Sequence, residues 1–97
     1  MKMFMIIADG SLRDQVEVFL EDHGARGYTE VPMVFGEGTH GKRLGSRLHP
    51  GASTLIFTVV PADRAVALKT HLADMAARVN ASGMSMHVAI LGVEEFL

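Results

Sequence analysis

Hydrophobic and polar positions along this 97-residue chain switch repeatedly between a strand-like and a helix-like period. Met3-Phe4-Met5-Ile6-Ile7-Ala8 is a short apolar run closed by Asp9-Gly10, the signature of a buried strand. Ser11 is placed to cap the next element, with the acidic Asp14 three residues on. Leu12, Val16, Phe19, Leu20 and His23 then recur at helical spacing, while Arg13, Asp14, Glu17, Glu21 and Asp22 lie largely on the other face. Gly24 closes that helix. Tyr28 to Phe35 predicts a second strand through Thr29, Val31, Val34 and Phe35. Pro32 lacks an N–H, so this strand belongs at an edge, a bulge or a non-bonding position.

The pattern then lapses. Residues 36–52 hold five glycines (Gly36, Gly38, Gly41, Gly45 and Gly51), and only Leu44 and Leu48 are large and apolar. This predicts a long loop, and long loops in compact domains are usually functional or mobile. Thr54 to Val60 is the clearest strand, ended by Pro61, with Asp63 as a cap for the following helix. Ala65, Leu68, Leu72, Met75, Ala76 and Val79 form that helix's apolar stripe, and Asn80-Ala81-Ser82-Gly83 ends it. Met86 to Leu91 predicts a fourth strand, followed by a short acidic and apolar tail from Gly92 to Leu97.

The resulting order is strand, helix, strand, loop, strand, helix, strand. Two such halves give a single α+β domain over residues 1–97: a ferredoxin-like βαββαβ sandwich, a four-stranded antiparallel sheet with both helices on one face. The other sheet face would then be bare. A solvated face alternates polar with apolar positions, yet the first and fourth strands are apolar almost throughout, and the third keeps Leu55, Phe57 and Val59 opposite Ile56 and Val60. Exposing such a face leaves an apolar patch of the kind that marks an interface, which predicts an obligate homo-oligomer with its sheets packed inward.

Composition removes several function classes. The apolar share of 48% excludes a disordered chain, and the absence of cysteine excludes disulfides, thiolate metal sites and a cysteine nucleophile. A net charge of −2 argues against nucleic acid as a partner. No apolar run reaches the roughly 20 residues of a membrane span, and no export signal is visible, so a cytoplasmic location is expected. No serine–histidine–acid arrangement, phosphate-binding loop of the Walker type or paired-acid constellation stands out, which argues against an enzyme.

Three stretches carry a family likeness. Gly24-Ala25-Arg26-Gly27-Tyr28-Thr29 resembles the PII segment where the first helix gives way to the second strand. Gly36-Glu37-Gly38-Thr39-His40-Gly41 resembles the Gly-x-Gly opening of that family's long T-loop, and Val59-Val60-Pro61-Ala62-Asp63 the start of its second helix. The chain is thus similar to the PII-like signalling superfamily, whose resemblance implies a homotrimer that binds nucleotides between subunits. It also implies that the T-loop, here residues 36–52, docks on a membrane transporter or a metabolic enzyme. By the same resemblance Gly27, Thr29, Gly36 and Gly38 would line the cleft. Glycines let backbone N–H groups approach an anion closely, and Arg43 or Arg47 can pair with phosphate. The chain departs from the pattern at Asn80-Ala81-Ser82-Gly83-Met84-Ser85, where a cation-rich phosphate loop is usual. It departs again at Val93-Glu94-Glu95-Phe96, where a basic run is usual. Both changes would repel a triphosphate and disfavour ATP sensing of the standard type, which leaves an adenine nucleotide held in a divergent mode or a different anion as the expected ligand.

The same loop carries a net charge of +2, from Lys42, Arg43 and Arg47 against Glu37, in an otherwise acidic chain. That suits anion capture or docking on an acidic surface, against the plainer reading of a solvated loop. His40 and His49 offer an alternative function, a divalent-metal-binding trimer of the cation-tolerance type, to which His87 could add a ligand. The plainer reading makes them exposed loop histidines. His23 and His71 read as structural, and the methionines as adaptable packing.

Overall fold

The computed structural model describes residues 1–38, 41–43 and 52–97. Strand β1 (Lys2–Asp9) leads through a 3-10 turn (Gly10–Leu12) into α1 (Arg13–Asp22). Strand β2 (Thr29–Val34) follows, then the short strands β3 (Gly36–Gly38) and β4 (Gly41–Arg43), and then β5 (Ser53–Val60), α2 (Ala62–Ala81) and β6 (Met86–Gly92). The main sheet has the order β2-β5-β1-β6 and every pairing in it is antiparallel, which is the expected ferredoxin-like arrangement.

Residues of alternate parity divide the sheet into two faces. Phe4, Ile6 and Ala8 of β1, Ile56 and Val60 of β5, and Met86 of β6 are buried with Val16 and Leu20 of α1 and Leu68 and Leu72 of α2. Both helices therefore cover one face. The opposite face is apolar and carries no helix. Register aligns Val59, Met3 and Leu91 in one row, Phe57, Met5 and Ala89 in the next, and Leu55, Ile7 and His87 in a third. None of these residues is buried in the chain.

Pro32 behaves as its chemistry requires: β2 is an edge strand, and its register with β5 shifts between Val31 and Val34. Three details correct the sequence reading. The Ser11 side chain caps nothing; instead the Asp9 carboxylate accepts from the Ser11 amide at 3.2 Å and hydroxyl at 2.9 Å, and this short acidic side chain starts the 3-10 turn. Asp63 is not the cap of α2 but lies in its first turn, behind Pro61 at the N-cap, where its charge still suits the helix dipole. Part of the loop over 36–52 is extended, since β3 and β4 pair from Gly36↔Arg43 to Gly38↔Gly41. Two three-residue strands rich in glycine are too short to leave a periodic signal in the sequence.

Candidate functional site

The segment between α1 and β2 is held by unusually specific contacts. Gly24, at φ +85°, ends the helix in a conformation that side chains resist, and the Ala25 amide donates to Leu20 O at 2.9 Å. The Arg64 guanidinium donates to Gly24 O at 3.1 Å. Downstream, the buried hydroxyl of Thr58 donates to Gly27 O at 2.6 Å, and that of Thr54 to Val31 O at 3.4 Å. These two threonines tie the edge strand to β5 from the core side. The sequence offered a signal for them: polar residues on the buried parity of the clearest strand require partners.

Gly27 and Thr29 thus stand at one end of β2, with Arg26 exposed beside them. Gly36 and Gly38 lie beyond its other end, in β3, and Arg43 ends β4 opposite Gly36. Thr29 pairs with Phe57 and Val34 with Ser53, so the two ends of β2 lie about 13 Å apart along the sheet. Arg47, His40 and His49 lie outside the described residues.

A second polar cluster lies on the helix side of β2. The Tyr28 hydroxyl donates to Glu17 Oε2 at 3.3 Å, and Glu30 Oε2 is buried without a hydrogen-bond partner. Removal from water, reinforced by the neighbouring Glu17 carboxyl, raises the Glu30 carboxyl above the ordinary value of 4.5, against the opposing pull of Arg13. Burial and the Glu17 and Glu21 charges likewise raise the Tyr28 hydroxyl. Because the folded-state pKa of Glu30 lies above the unfolded one, its contribution is fully present below the unfolded value. That contribution is lost as pH rises through the folded value. Glu30→Gln imitates the protonated form, so it is expected to melt above the wild type at pH 7, with the advantage vanishing as pH falls below 4.5. A Tm series across pH checks this, and a Glu30→Gln protein melting below wild type at pH 7 contradicts it.

Among the described residues no group of three or more histidine, aspartate or glutamate side chains could hold a metal ion. His23 stacks on Phe19 with ring centroids 4.1 Å apart, and His71 approaches His23 at 4.4 Å, so both serve helix packing as expected. His87 is exposed beside Ile7 in the register of the bare sheet face.

Residues 1–94 match the family described as nitrogen regulatory protein P-II. This chain belongs to the P-II family. Its fold is similar to that of CPII, a nitrogen regulatory PII-like protein from Thiomonas intermedia, in a structure bound to ADP, AMP and bicarbonate. That pair is 25% identical with a TM-score of 0.70, covering 97% of this P-II chain and 88% of CPII. CPII bound to ADP and bicarbonate gives 26% identity, a TM-score of 0.69 and the same coverage. A PII-like signalling protein from Thermus thermophilus shares the fold at 20% identity and a TM-score of 0.66, with 95% of this chain and 84% of that one covered. No curated protein matches the sequence. Among the described residues of this P-II protein, no helix is long and apolar enough to cross a membrane.

Proposed function

We propose that this P-II protein is a homotrimeric regulator that binds a small anionic ligand in clefts between its subunits. Through residues 36–52 it docks on a membrane transporter or metabolic enzyme, and ligand contact selects the loop conformation that docks. The carrying observation is the placement of Gly27 and Thr29 at one end of the edge strand and of Gly36 and Gly38 at the other. A neighbouring copy, drawn in by the bare apolar face, completes the cleft at either end of that strand. P-II proteins are generally homotrimers, which suits this geometry. The nucleotide and bicarbonate bound to CPII make ADP, AMP and bicarbonate the ligand classes to test first. The turn at residues 82–85 has no cation and Glu94-Glu95 adds negative charge, so ligands below triphosphate charge are favoured.

Arg43 and Arg47 are the proposed phosphate or carboxylate partners. Losing one charge-assisted hydrogen bond costs about 1.5–3 kcal/mol, which is roughly a 10- to 100-fold loss of affinity. Calorimetric titration of ADP, AMP, ATP and bicarbonate into the wild type, Arg43→Ala and Arg47→Ala proteins reads this directly. ADP or bicarbonate is expected to bind more tightly than ATP, and each variant to weaken binding at unchanged oligomer mass. Wild-type protein that binds none of the four ligands overturns the sensor reading.

A further inference from the structure

We propose that Gly10 is a positioning residue that fastens the end of the 36–52 segment and the α2–β6 turn to a single point, so that the two move together. Strand β1 is central, between β5 and β6, and its last pairings are Asp9↔Ser53 on one side and Ala8↔Met86 on the other. Its C-terminal end therefore falls between the residues that lead into β5 and those that lead into β6. Both ladders are carried one step further by backbone bonds from adjacent residues. The Gly10 amide donates to Ala52 O at 2.7 Å, and the Asp9 amide donates to Ser85 O at 2.8 Å. The dipeptide is itself held rigid, because the Asp9 carboxylate accepts from both the amide and the hydroxyl of Ser11.

The turn has its own clamp. Asn80 Nδ2 donates to Ala76 O and to Met86 O, each at 2.8 Å, and Asn80 Oδ1 accepts from the Met86 amide at 3.1 Å. One side chain thus closes residues 81–85 between the end of α2 and the start of β6, and Ser85 O is presented to Asp9 from a fixed frame. On the other side nothing larger than hydrogen fits at position 10. A Cβ there would lie 2.6 Å from Ala52 O, a backbone atom that no rotamer change can move aside. Any side chain must push the loop end away and lengthen the Gly10–Ala52 bond. The consequence is mechanical: displacement of residue 52 pulls on Asp9-Gly10 and through it on the turn at 82–85.

The functional weight of this junction rests on the proposed ligand cleft, whereas its mechanics can be tested alone. Amide hydrogen exchange is measured by NMR on the full-length wild-type and Gly10→Ala proteins, with calorimetry of ADP and bicarbonate alongside. In Gly10→Ala the Asp9 amide, which donates to Ser85 O in the turn, is expected to exchange at least tenfold faster. The Ile6 amide within the β1 ladder should change less than twofold. ADP or bicarbonate affinity should fall at least tenfold at unchanged oligomer mass. An unchanged Asp9 amide overturns the junction, and faster Asp9 exchange with unchanged affinity overturns its role at the ligand site. If the wild type binds neither ligand, the sensor reading fails while the exchange result still decides the junction. If Gly10→Ala does not fold, the denaturant dependence of wild-type exchange decides: Gly10 and Asp9 amides opening together support the junction, and independent opening refutes it.

Discussion

Phe57→Glu is expected to run at the mass of a single chain while keeping its helices. Phe57 occupies the middle of the bare sheet face, with Met5 across one ladder and Thr29 across the other. Rows of Met3, Val59 and Leu91 above it and Ile7 and Leu55 below it complete the apolar surface. Packing such faces against one another removes this surface from water at about 25 cal/mol per Å². A carboxylate at its centre has no partner there, and burying an unpaired charge costs several kcal/mol at each subunit. Since each 1.4 kcal/mol is tenfold, assembly should weaken by at least about 100-fold. Folding of the single chain is spared, because position 57 points away from the helix-covered core. Light scattering with circular dichroism measures both properties, and Val66→Glu, on the exposed side of α2, serves as the control that stays assembled. A Phe57→Glu protein that retains the wild-type oligomer mass excludes the bare face as the assembly interface.

Phe4→Ala acts on the opposite face and on a different property. Phe4 has no exposed surface and lies between Thr58 of β5 and Ile90 of β6 under the two helices. Truncating a buried phenylalanine costs about 3–5 kcal/mol in lost transfer energy and residual cavity. A domain of this size holds on the order of 5–15 kcal/mol in all, so the variant should lose a large share of its stability. Met33→Ala, whose side chain is 61% exposed on the edge strand, should change stability by less than about 0.5 kcal/mol. Urea denaturation at one fixed protein concentration compares them, because assembly adds a concentration-dependent contribution to stability. A loss below 1 kcal/mol for Phe4→Ala would mean that the core around β1 is not packed as described.

The two predictions draw on sequence information of unequal quality. Alternation along β5 separated Ile56 and Val60 from Leu55, Phe57 and Val59, and burial follows the same division. The period-3.6 stripe of α2 likewise named Ala65, Leu68, Leu72 and Met75, which are buried, and Ala76 and Val79, which are partly buried against them. Element ends were harder to read. Helix caps depend on which of several adjacent polar groups reaches the backbone first, and Asp9 reached the turn before Ser11 could cap it.

The order of the four main strands and two helices, the core composition and the bare apolar face were settled by the sequence alone, because hydrophobic periodicity survives without knowledge of neighbours. The resemblance of three short glycine-bearing stretches also led to the P-II family that residues 1–94 match. Tertiary structure decided what lies near what. It alone separated Gly27 and Thr29 from Gly36 and Gly38, joined Thr58 to Gly27, and raised the Glu30 carboxyl beside Glu17. It alone brought Gly10 against Ala52 and Asp9 against Ser85, contacts across 42 and 76 positions of sequence. Periodicity reports which face a residue takes, whereas these contacts depend on which strands become neighbours, and chain order does not encode that distance.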